Sequence, residues 1–224
     1  MNTQIESIKS VYRHPETPGS YFLSLEGIEG SGKSTQIKEI ENYVQKKGLR
    51  TLTLREPGGT KFGEKLREAI LSSEAPLHPL AECHLFLASR AQLLKEKILP
   101  FLLNPGSVVI LDRYIDSTLA YQGKARKLGY DTILNLHQYD PLNLVPHRTY
   151  FLDIGLKTSL ERQEVRGNVK DYFESQKGEF YQNLVDGYRE LSTLFGDRIL
   201  TINAEKSISE VTSLIINDLE KFIA

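Results

Sequence analysis

The sequence predicts an α/β fold of three layers, in which a five-stranded parallel sheet lies between two sets of helices. Two observations lead to this prediction. Five short apolar runs alternate along the chain with segments whose apolar residues recur at helical spacing. Residues 27–34 also match the pattern G-x-x-x-x-G-K-[ST], and they connect the first apolar run to the first helical segment. A strand, this loop and a helix in that order are typical of the P-loop NTPase fold.

The apolar runs are short enough to be strands, because strands in globular proteins commonly have about five or six residues. The run at 107–111 is almost continuously β-branched, as expected of a strand in the centre of a parallel sheet. We expect strands at residues 21–25, 50–54, 107–111, 148–153 and 199–202.

The segments between these strands predict helices. In the third helix, Pro79 suits the first turn and Pro100 should mark the end. Ser207 and Glu210 have the spacing of a capping box at the start of the last helix. We expect helices at residues 36–47, 62–73, 79–99, 117–128, 156–166 and 171–195, and a final one after Ser207.

The length of 224 residues suits one domain with small insertions. This domain should cover residues 21–224, with a short lid at about 156–172. Residues 1–20 precede the first predicted strand and include Pro15, Pro18 and Gly19. We expect them to form an N-terminal extension that lies on the surface or frays, and we assign it no function.

The composition argues against several classes of protein. The 28 Lys and Arg residues nearly balance the 29 Asp and Glu residues, which disfavours a broad nucleic-acid-binding face or a polybasic membrane anchor. Cys83 is the single cysteine, so the chain has no intramolecular disulfide. No secretory h-region and no apolar span of about 18 residues appears. We therefore expect a cytoplasmic protein with no nucleic-acid partner and no membrane partner.

Residues 27–35 have the composition of a loop that binds phosphate. Glycines allow the backbone N–H groups to approach a polyphosphate closely. Lys33 adds positive charge near the transferred phosphate, and the hydroxyl of Ser34 is a hard oxygen ligand suited to Mg²⁺. The alternative is a glycine-rich turn that binds nothing, which the flanking strand and helix disfavour. The residues expected to contact the polyphosphate here are Gly27, Ile28, Glu29, Gly30, Ser31, Gly32, Lys33, Ser34 and Thr35.

Charged residues also follow two other predicted strands. Arg55 precedes a Pro-Gly-Gly turn, and Asp112 and Arg113 come directly after the run at 107–111. Ligands of open α/β sheets bind at this edge. Asp112 could order Mg²⁺ or its water shell, and Arg113 could bind phosphate. The alternatives are an ordinary surface arginine at position 55 and a structural ion pair for Asp112 and Arg113.

Phe86 and Arg90 are four residues apart in the third predicted helix, so they share one face. A base could stack on Phe86 and accept a hydrogen bond from Arg90. The alternative is that Phe86 belongs to the core and Arg90 to the surface.

Arg162 and Arg166 also share a helix face, and Gly167 follows them. Cations on a segment that ends in glycine suit a lid that closes over phosphates and excludes water. The alternative is a basic helix end that complements the helix dipole.

Several motifs, taken in order, resemble the bacterial-type branch of the thymidylate kinase family of nucleoside monophosphate kinases. They run from about residue 22 to the C-terminus: Phe-Leu-Ser-Leu-Glu-Gly-Ile-Glu-Gly-Ser-Gly-Lys-Ser-Thr at 22–35, Arg-Glu-Pro-Gly-Gly-Thr at 55–60, Asp-Arg-Tyr at 112–114 with Ser117, Ala-Tyr-Gln-Gly at 120–123 and Gly-Leu-Lys at 155–157. The resemblance implies transfer of the ATP γ-phosphoryl group to dTMP with Mg²⁺, by a homodimer. A kinase of another nucleotide or of a deoxynucleoside, and a nucleotide-dependent switch, remain alternatives.

The resemblance implies roles for individual residues of the acceptor site. Glu29 matches the acidic residue that contacts the 3′-hydroxyl of deoxyribose, and Arg55 and Arg113 match residues that hold the acceptor phosphate. Phe86 matches the residue that stacks on thymine, and Arg90 matches the donor to its O4 atom. The remaining substrate residues implied are Ser117, Tyr121 beside the sugar and Gln122 near the base.

The resemblance also places the cation that completes transfer. Gly30 stands where eukaryotic-type members carry an arginine, so this cation should come from the lid, as Arg166 and in addition Arg162. The resemblance thus makes residues 27–35 and Arg162 the expected ATP-binding set. The family usually has an arginine where this chain has Tyr172, which leaves roles for Asp171 and Glu174 as hypotheses. The catalytic set implied is Lys33, Asp112, Arg113 and Arg166, and Ser34 and Asp112 are the implied Mg²⁺ ligands.

Overall fold

The fold was analysed in a computed structural model that describes residues 10–73, 75–166 and 178–223. The predicted five-stranded parallel sheet is confirmed, with strand order β2-β3-β1-β4-β5 and parallel pairing throughout. The strands are β1 Tyr21–Glu26, β2 Arg50–Arg55, β3 Ser107–Asp112, β4 Arg148–Asp153 and β5 Ile199–Asn203. The three inner strands β3, β1 and β4 carry runs of fully buried apolar residues, which form the centre of the core.

The register of the sheet brings the predicted functional residues to one edge. Asp112 at the end of β3 pairs with Leu25 on β1 and with Arg55 on β2. Since the strands are parallel, the phosphate loop after β1 starts at the same edge as Arg55 and Asp112.

Helices cover the sheet: the helix Lys33–Lys46 packs against Ile208–Phe222, and the helix Glu179–Leu194 packs against the π-helical segment Leu119–Ala125. The α-helices are α1 Lys33–Lys46, α2 Lys61–Leu71, α3 Pro79–Leu93, α4 Leu99–Leu102, α5 Ile115–Thr118, α6 Tyr130–Leu136, α7 Leu156–Arg166, α8 Glu179–Leu194 and α9 Ile208–Phe222. Two π-helical segments interrupt them, π1 Leu94–Ile98 and π2 Leu119–Ala125. The predicted capping box of Ser207 and Glu210 is present at the start of α9.

The prediction that the third helix ends before Pro100 is wrong. The chain continues from α3 through π1 into α4, and Pro100 lies in the first turn of α4. A proline is tolerated there because an N–H group in the first turn has no partner within the helix. The helix predicted at 117–128 starts earlier, as α5, and becomes π-helical at Leu119. Helix α6 was not predicted, and the first residues of the helix predicted at 171–195 lie outside the described residues.

The described part of the N-terminal segment, residues 10–20, contacts the body of the protein. The hydroxyl of Tyr12 donates to the carbonyl oxygen of Leu134 at 2.7 Å. Arg13 forms an isolated parallel bridge with Leu144, and the ring of His14 stacks on that of His147 with 5.4 Å between their centroids. The partner residues lie far from residues 10–20 in the sequence, so no local pattern indicated these contacts.

None of the helices in the described part of the chain combines the length and the apolar character that a membrane crossing requires.

Candidate active site

One cleft at the carboxyl edge of the sheet collects most of the predicted site residues, and we call it the main cleft. Its lining joins the phosphate loop after β1 to the ends of β2 and β3 and to the helices α2, α3, α5 and π2. The predicted residues that line it are Glu29, Gly30, Gly32, Lys33, Ser34, Arg55, Phe86, Arg90, Asp112, Arg113, Ser117, Tyr121 and Gln122. A single ligand could therefore contact both the phosphate loop and the pair Phe86/Arg90.

The phosphate loop turns sharply because its glycines adopt conformations that other residues avoid. Gly27 has φ 139°, and a Cβ atom at this position would lie 2.7 Å from the carbonyl oxygen of Leu152. Helix α1 starts at Lys33 without an acidic residue in its first turn. Its N–H groups and the positive end of the helix dipole therefore suit a bound anion.

The side chain of Lys33, the first residue of α1, is buried against the phosphate loop. Its Nζ atom donates to the carbonyl oxygens of Gly27 at 3.2 Å and Ile28 at 3.4 Å. Burial, and then the nearby charge of Arg113, lower the pKa of Lys33 to about 8 from its ordinary value near 10.5. A bound polyphosphate would add negative charge beside this ammonium group and favour its protonated form.

Other parts of the loop face away from the main cleft. The side chain of Ile28 is buried in the core. Ser31 and Thr35 line a second cleft, together with Arg162 and Lys206. Gly30 and Gly32 line both clefts, so the loop contributes residues to two adjoining clefts.

Asp112 has a carboxylate oxygen that suits a cation. Its Oδ1 atom is buried and has no hydrogen-bond partner among the described residues. Asp112 and Ser34 line the same cleft, and their oxygens are hard ligands of the kind that Mg²⁺ prefers. No group of three or more His, Cys, Asp or Glu side chains that could hold a metal exists in the described residues.

Arg113 occupies an unusual backbone conformation at the centre of the cleft. Its φ is 72°, in the left-handed region that residues other than glycine seldom adopt. Its Nη1 atom donates to the hydroxyl of Tyr188 at 3.0 Å and to that of Ser117 at 3.3 Å. The guanidinium lies 5.2 Å from the centre of the Tyr121 ring. These contacts fix the guanidinium beside the phosphate loop.

Glu26, the last residue of β1, was missed by sequence reasoning. It is fully buried, and it accepts from the N–H of Tyr114 at 2.7 Å and from the hydroxyl of Ser117 at 2.5 Å. Burial, and then the charge of Asp116, raise the pKa of Glu26 to about 8 from near 4.5. The available signal was an acidic residue at the end of an apolar strand, directly before the phosphate loop.

The structure brings Phe86 and Arg90 together in the main cleft, but Arg90 is neither a surface residue nor unpaired. It is 1% exposed, and its Nε and Nη2 atoms donate to Oε2 of Glu56 at 2.8 and 2.5 Å. Nη2 also donates to the hydroxyl of Thr118 at 3.0 Å. The guanidinium lies 4.7 Å from the centre of the Tyr114 ring. A buried ion pair therefore holds this side chain.

Gln122 also lines the cleft and is held by a buried acid. Its Nε2 atom donates to Oε1 of Glu82 at 2.7 Å, and Arg126 pairs with the same carboxylate at 3.2 Å. The amide oxygen of Gln122 thus has a fixed orientation. Glu82 and Arg126 were not predicted, because their contacts to Gln122 depend on the packing of α3 against π2.

Two further arginines line the cleft near β2. Arg55 is largely exposed and pairs with Glu64 at 3.2 Å. Arg67 on α2 was missed by sequence reasoning, and its Nη1 atom donates to the carbonyl oxygen of Pro57 at 3.1 Å. The signal for Arg67 was weak, since an arginine on a short amphipathic helix is usually a surface residue.

Helix α7, the predicted lid helix, has the predicted bounds and packs against the phosphate loop. Ser159 donates from its hydroxyl to the carbonyl oxygen of Glu29 at 2.6 Å. Arg162 donates from Nη1 to the carbonyl oxygen of Gly30 and from Nη2 to that of Ala204, both at 3.1 Å. The side chain of Arg166 and all of Asp171, Tyr172 and Glu174 lie outside the described residues.

The comparisons with known proteins point to one family. A family model described as "Thymidylate kinase" matches residues 25–215. The thymidylate kinase of Caldanaerobacter subterraneus subsp. tengcongensis is 38% identical over 202 residues, which cover 90% of this chain and 96% of that protein. The thymidylate kinase of Thermosipho africanus is 39% identical over 202 residues, with coverages of 90% and 98%. The crystal structure of thymidylate kinase from Ehrlichia chaffeensis is similar with a TM-score of 0.71 and 29% identity, over 91% of this chain and 99% of that one.

Proposed function

The chain belongs to the thymidylate kinase family, and we propose that its main cleft binds dTMP between Phe86 and the phosphate loop. Enzymes of this family transfer the γ-phosphoryl group of ATP to dTMP and release ADP and dTDP. One observation carries the proposal: Lys33 of the phosphate loop and the pair Phe86/Arg90 line a single cleft.

The donor nucleotide binds at the phosphate loop. The N–H groups of residues 27–35 surround the β- and γ-phosphates, and Lys33 turns from the carbonyl oxygens of Gly27 and Ile28 to the phosphate oxygens. Ser34 and Asp112 would hold Mg²⁺, and the buried Oδ1 of Asp112 supports this assignment. When bound, the ion would neutralise negative charge on the donor phosphates.

The acceptor nucleotide binds in the remainder of the cleft. Arg55 and Arg113 hold its phosphate, and Arg67 adds a third positive charge nearby. Phe86 stacks on the base, and Arg90 donates to the O4 atom of thymine. The residues that contact the sugar or complete the pocket are Glu29, Ser117, Tyr121 and Gln122.

Catalysis in this cleft depends on alignment and charge. A phosphate monoester has a second pKa of about 6, so the acceptor oxygen is largely ionised at neutral pH without a general base. Lys33 and Arg113 stabilise the charge that spreads over the transferred group. A lid arginine, Arg166 or Arg162, supplies the further cation, because the loop has Gly30 where an arginine could otherwise stand.

We also propose a cytoplasmic homodimer that binds neither nucleic acid nor membrane, with residues 21–224 as the kinase domain, about 156–172 as its lid and 1–20 as an extension. The balance of 28 basic and 29 acidic residues supports the proposal that the protein binds neither nucleic acid nor membrane. Phe62 on α2 and Leu80 on α3 are 47% and 38% exposed, and a second copy of the chain could cover them.

A coupled assay of ADP formation tests the proposed function. The assay compares dTMP, dUMP, dCMP, dGMP and thymidine as acceptors, and we expect the highest kcat/KM for dTMP. Lys33→Ala should reduce turnover by about a hundredfold or more with the fold retained, because the loop loses its cation. Lys38→Ala, a change at an exposed lysine of the same helix, is the control. ATP hydrolysis without any effective acceptor would contradict the proposal and favour a nucleotide-dependent switch.

A further inference from the structure

Arg90 has a third hydrogen-bond partner besides Glu56 and Thr118. Glu56 accepts from Nε and from one N–H of Nη2, and Thr118 accepts from the other N–H of Nη2. The Nη1 atom lies 2.6 Å from Nε2 of His137, a fully buried side chain that caps the C-terminal end of α6. A guanidinium has five N–H groups, so one N–H on Nη1 is left after these contacts.

The contacts of His137 determine which ring nitrogen carries the proton. Nδ1 lies 2.7 Å from the carbonyl oxygen of Ile133, which can only accept a hydrogen bond, so Nδ1 carries the hydrogen. Arg90 stays protonated and can only donate, so Nε2 must be the unprotonated acceptor. Burial, and then the charge of Arg90, lower the pKa of His137 to about 3. The imidazole is therefore neutral, with one tautomer fixed at both ends.

This arrangement leaves one N–H of Arg90 without a partner among the described residues. Glu56 fixes one edge of the planar guanidinium, and His137 takes one N–H at the opposite corner, on Nη1. Arg90 lines the main cleft, so a ligand there could accept a hydrogen bond from the second N–H of Nη1. An acceptor at position 4 of a pyrimidine, as in thymine, suits this donor, whereas the amino group of cytosine does not.

We propose that His137 is a positioning residue for base recognition, whose neutral imidazole holds Nη1 of Arg90 so that its second N–H donates to the oxygen at position 4 of the base. The inference rests on the proposed function, since it takes the base to lie beside Arg90. His137 does not contact the base. It acts through Arg90, and it should affect the choice of base more than the rate of phosphoryl transfer.

Two substitutions separate positioning from simple filling of space. His137→Phe keeps a ring of similar size but removes the acceptor, whereas His137→Gln places an amide oxygen near the position of Nε2. For His137→Phe we expect KM for dTMP to rise and the preference for dTMP over dCMP to fall, each by about tenfold or more. KM for ATP and kcat at saturating dTMP should stay within about twofold. His137→Gln should restore most of the preference.

Leu134→Ala is the matched control, because Leu134 is buried on α6, the helix that ends at His137, and its side chain accepts no hydrogen bond from Arg90. It should lower the melting temperature without a change in base preference. Folded His137→Phe with wild-type KM and wild-type preference would overturn the inference. If this variant does not fold, His137→Met, whose flexible side chain adapts to the space, takes the same measurements with the same expected losses. If the wild-type chain itself shows no preference for dTMP, the proposed function fails instead.

Discussion

The hydroxyl of Tyr188 accepts a hydrogen bond from Nη1 of Arg113 at 3.0 Å, and this contact joins α8 to the centre of the main cleft. The same hydroxyl lies 3.3 Å from Oε2 of Glu26. A residue 75 positions away in the sequence therefore helps to fix a phosphate-binding cation.

Replacement of Tyr188 by phenylalanine tests this relationship. We expect kcat/KM for dTMP to fall about tenfold, because a hydrogen bond to a charged group is lost. The fold should remain, since the ring of residue 188 can still stack on Phe151 at 5.3 Å between centroids. Steady-state kinetics measure the effect. Tyr43→Phe is the control, because the hydroxyl of Tyr43 is buried without a partner among the described residues. Equal kinetics of the two variants would refute the role of Tyr188.

Glu26 should make the free energy of unfolding depend on pH. Its pKa rises from near 4.5 in the unfolded chain to about 8 in the fold, so the folded protein binds more protons between these values. The stabilisation is therefore complete below pH 4.5 and is lost as the pH rises through 8. His137, whose pKa falls from near 6.5 to about 3 in the fold, contributes the opposite slope below about pH 6.5, so the contribution of Glu26 is read as the difference between wild type and Glu26→Gln. Urea denaturation at several pH values should show a steeper decline in the wild type than in Glu26→Gln, most clearly between pH 6.5 and 8. Glu68→Gln, at an exposed position, should leave the decline as in the wild type. An equal decline in Glu26→Gln would show that another group causes it.

The ion pair between Glu56 and Arg90 should contribute to both stability and substrate binding. Glu56→Gln leaves a buried guanidinium without its counter-charge, so we expect the free energy of unfolding to fall by about 3 kcal/mol. KM for dTMP should rise in the same variant, because Arg90 loses its anchor. Glu64→Gln is the control, since its pair with Arg55 is about half exposed and should be worth less than about 1 kcal/mol. Similar losses of stability in the two variants would contradict the prediction.

The two lid arginines should have different effects when each is replaced by alanine. The guanidinium of Arg162 donates to the carbonyl oxygens of Gly30 and Ala204, which suits a role in holding the phosphate loop. We expect Arg162→Ala mainly to raise KM for ATP. Arg166→Ala should reduce kcat by about a hundredfold or more, because it removes the cation proposed to stabilise the transferred group. Steady-state kinetics of the two variants measure kcat and KM for ATP. A larger loss of kcat in Arg162→Ala than in Arg166→Ala would assign the catalytic role to Arg162.

Local patterns in the sequence predicted the parts of the molecule that local physics determines. All five strands, the phosphate loop and α7 follow from hydrophobic periodicity and glycine placement. The π segments did not, because the spacing of apolar residues in a short π-helix is close to that in an α-helix. The end of the third helix was predicted wrongly at Pro100, because a proline suits the first turn of a helical segment as well as the position after a helix end.

The candidate site was predictable where a residue follows a strand and not where its role comes from distant contacts. Lys33, Asp112 and Arg113 belong to motifs that also fix their place at the sheet edge. The partners that hold Arg90 are separated from it by 28, 34 and 47 positions. Nothing near His137 in the sequence indicates its contact with an arginine, because Arg90 is 47 positions away and comes next to His137 only in the folded chain.

The left-handed backbone of Arg113 matters for anyone who redesigns this chain. A residue other than glycine at such a position costs on the order of 1 kcal/mol. A design method that scores each position by backbone conformation alone would therefore place glycine there. The exchange would relieve the strained conformation and remove the cation that the cleft presents to its acceptor. Position 113 should be held fixed in any library built on this scaffold, together with Tyr188, which keeps the guanidinium in place.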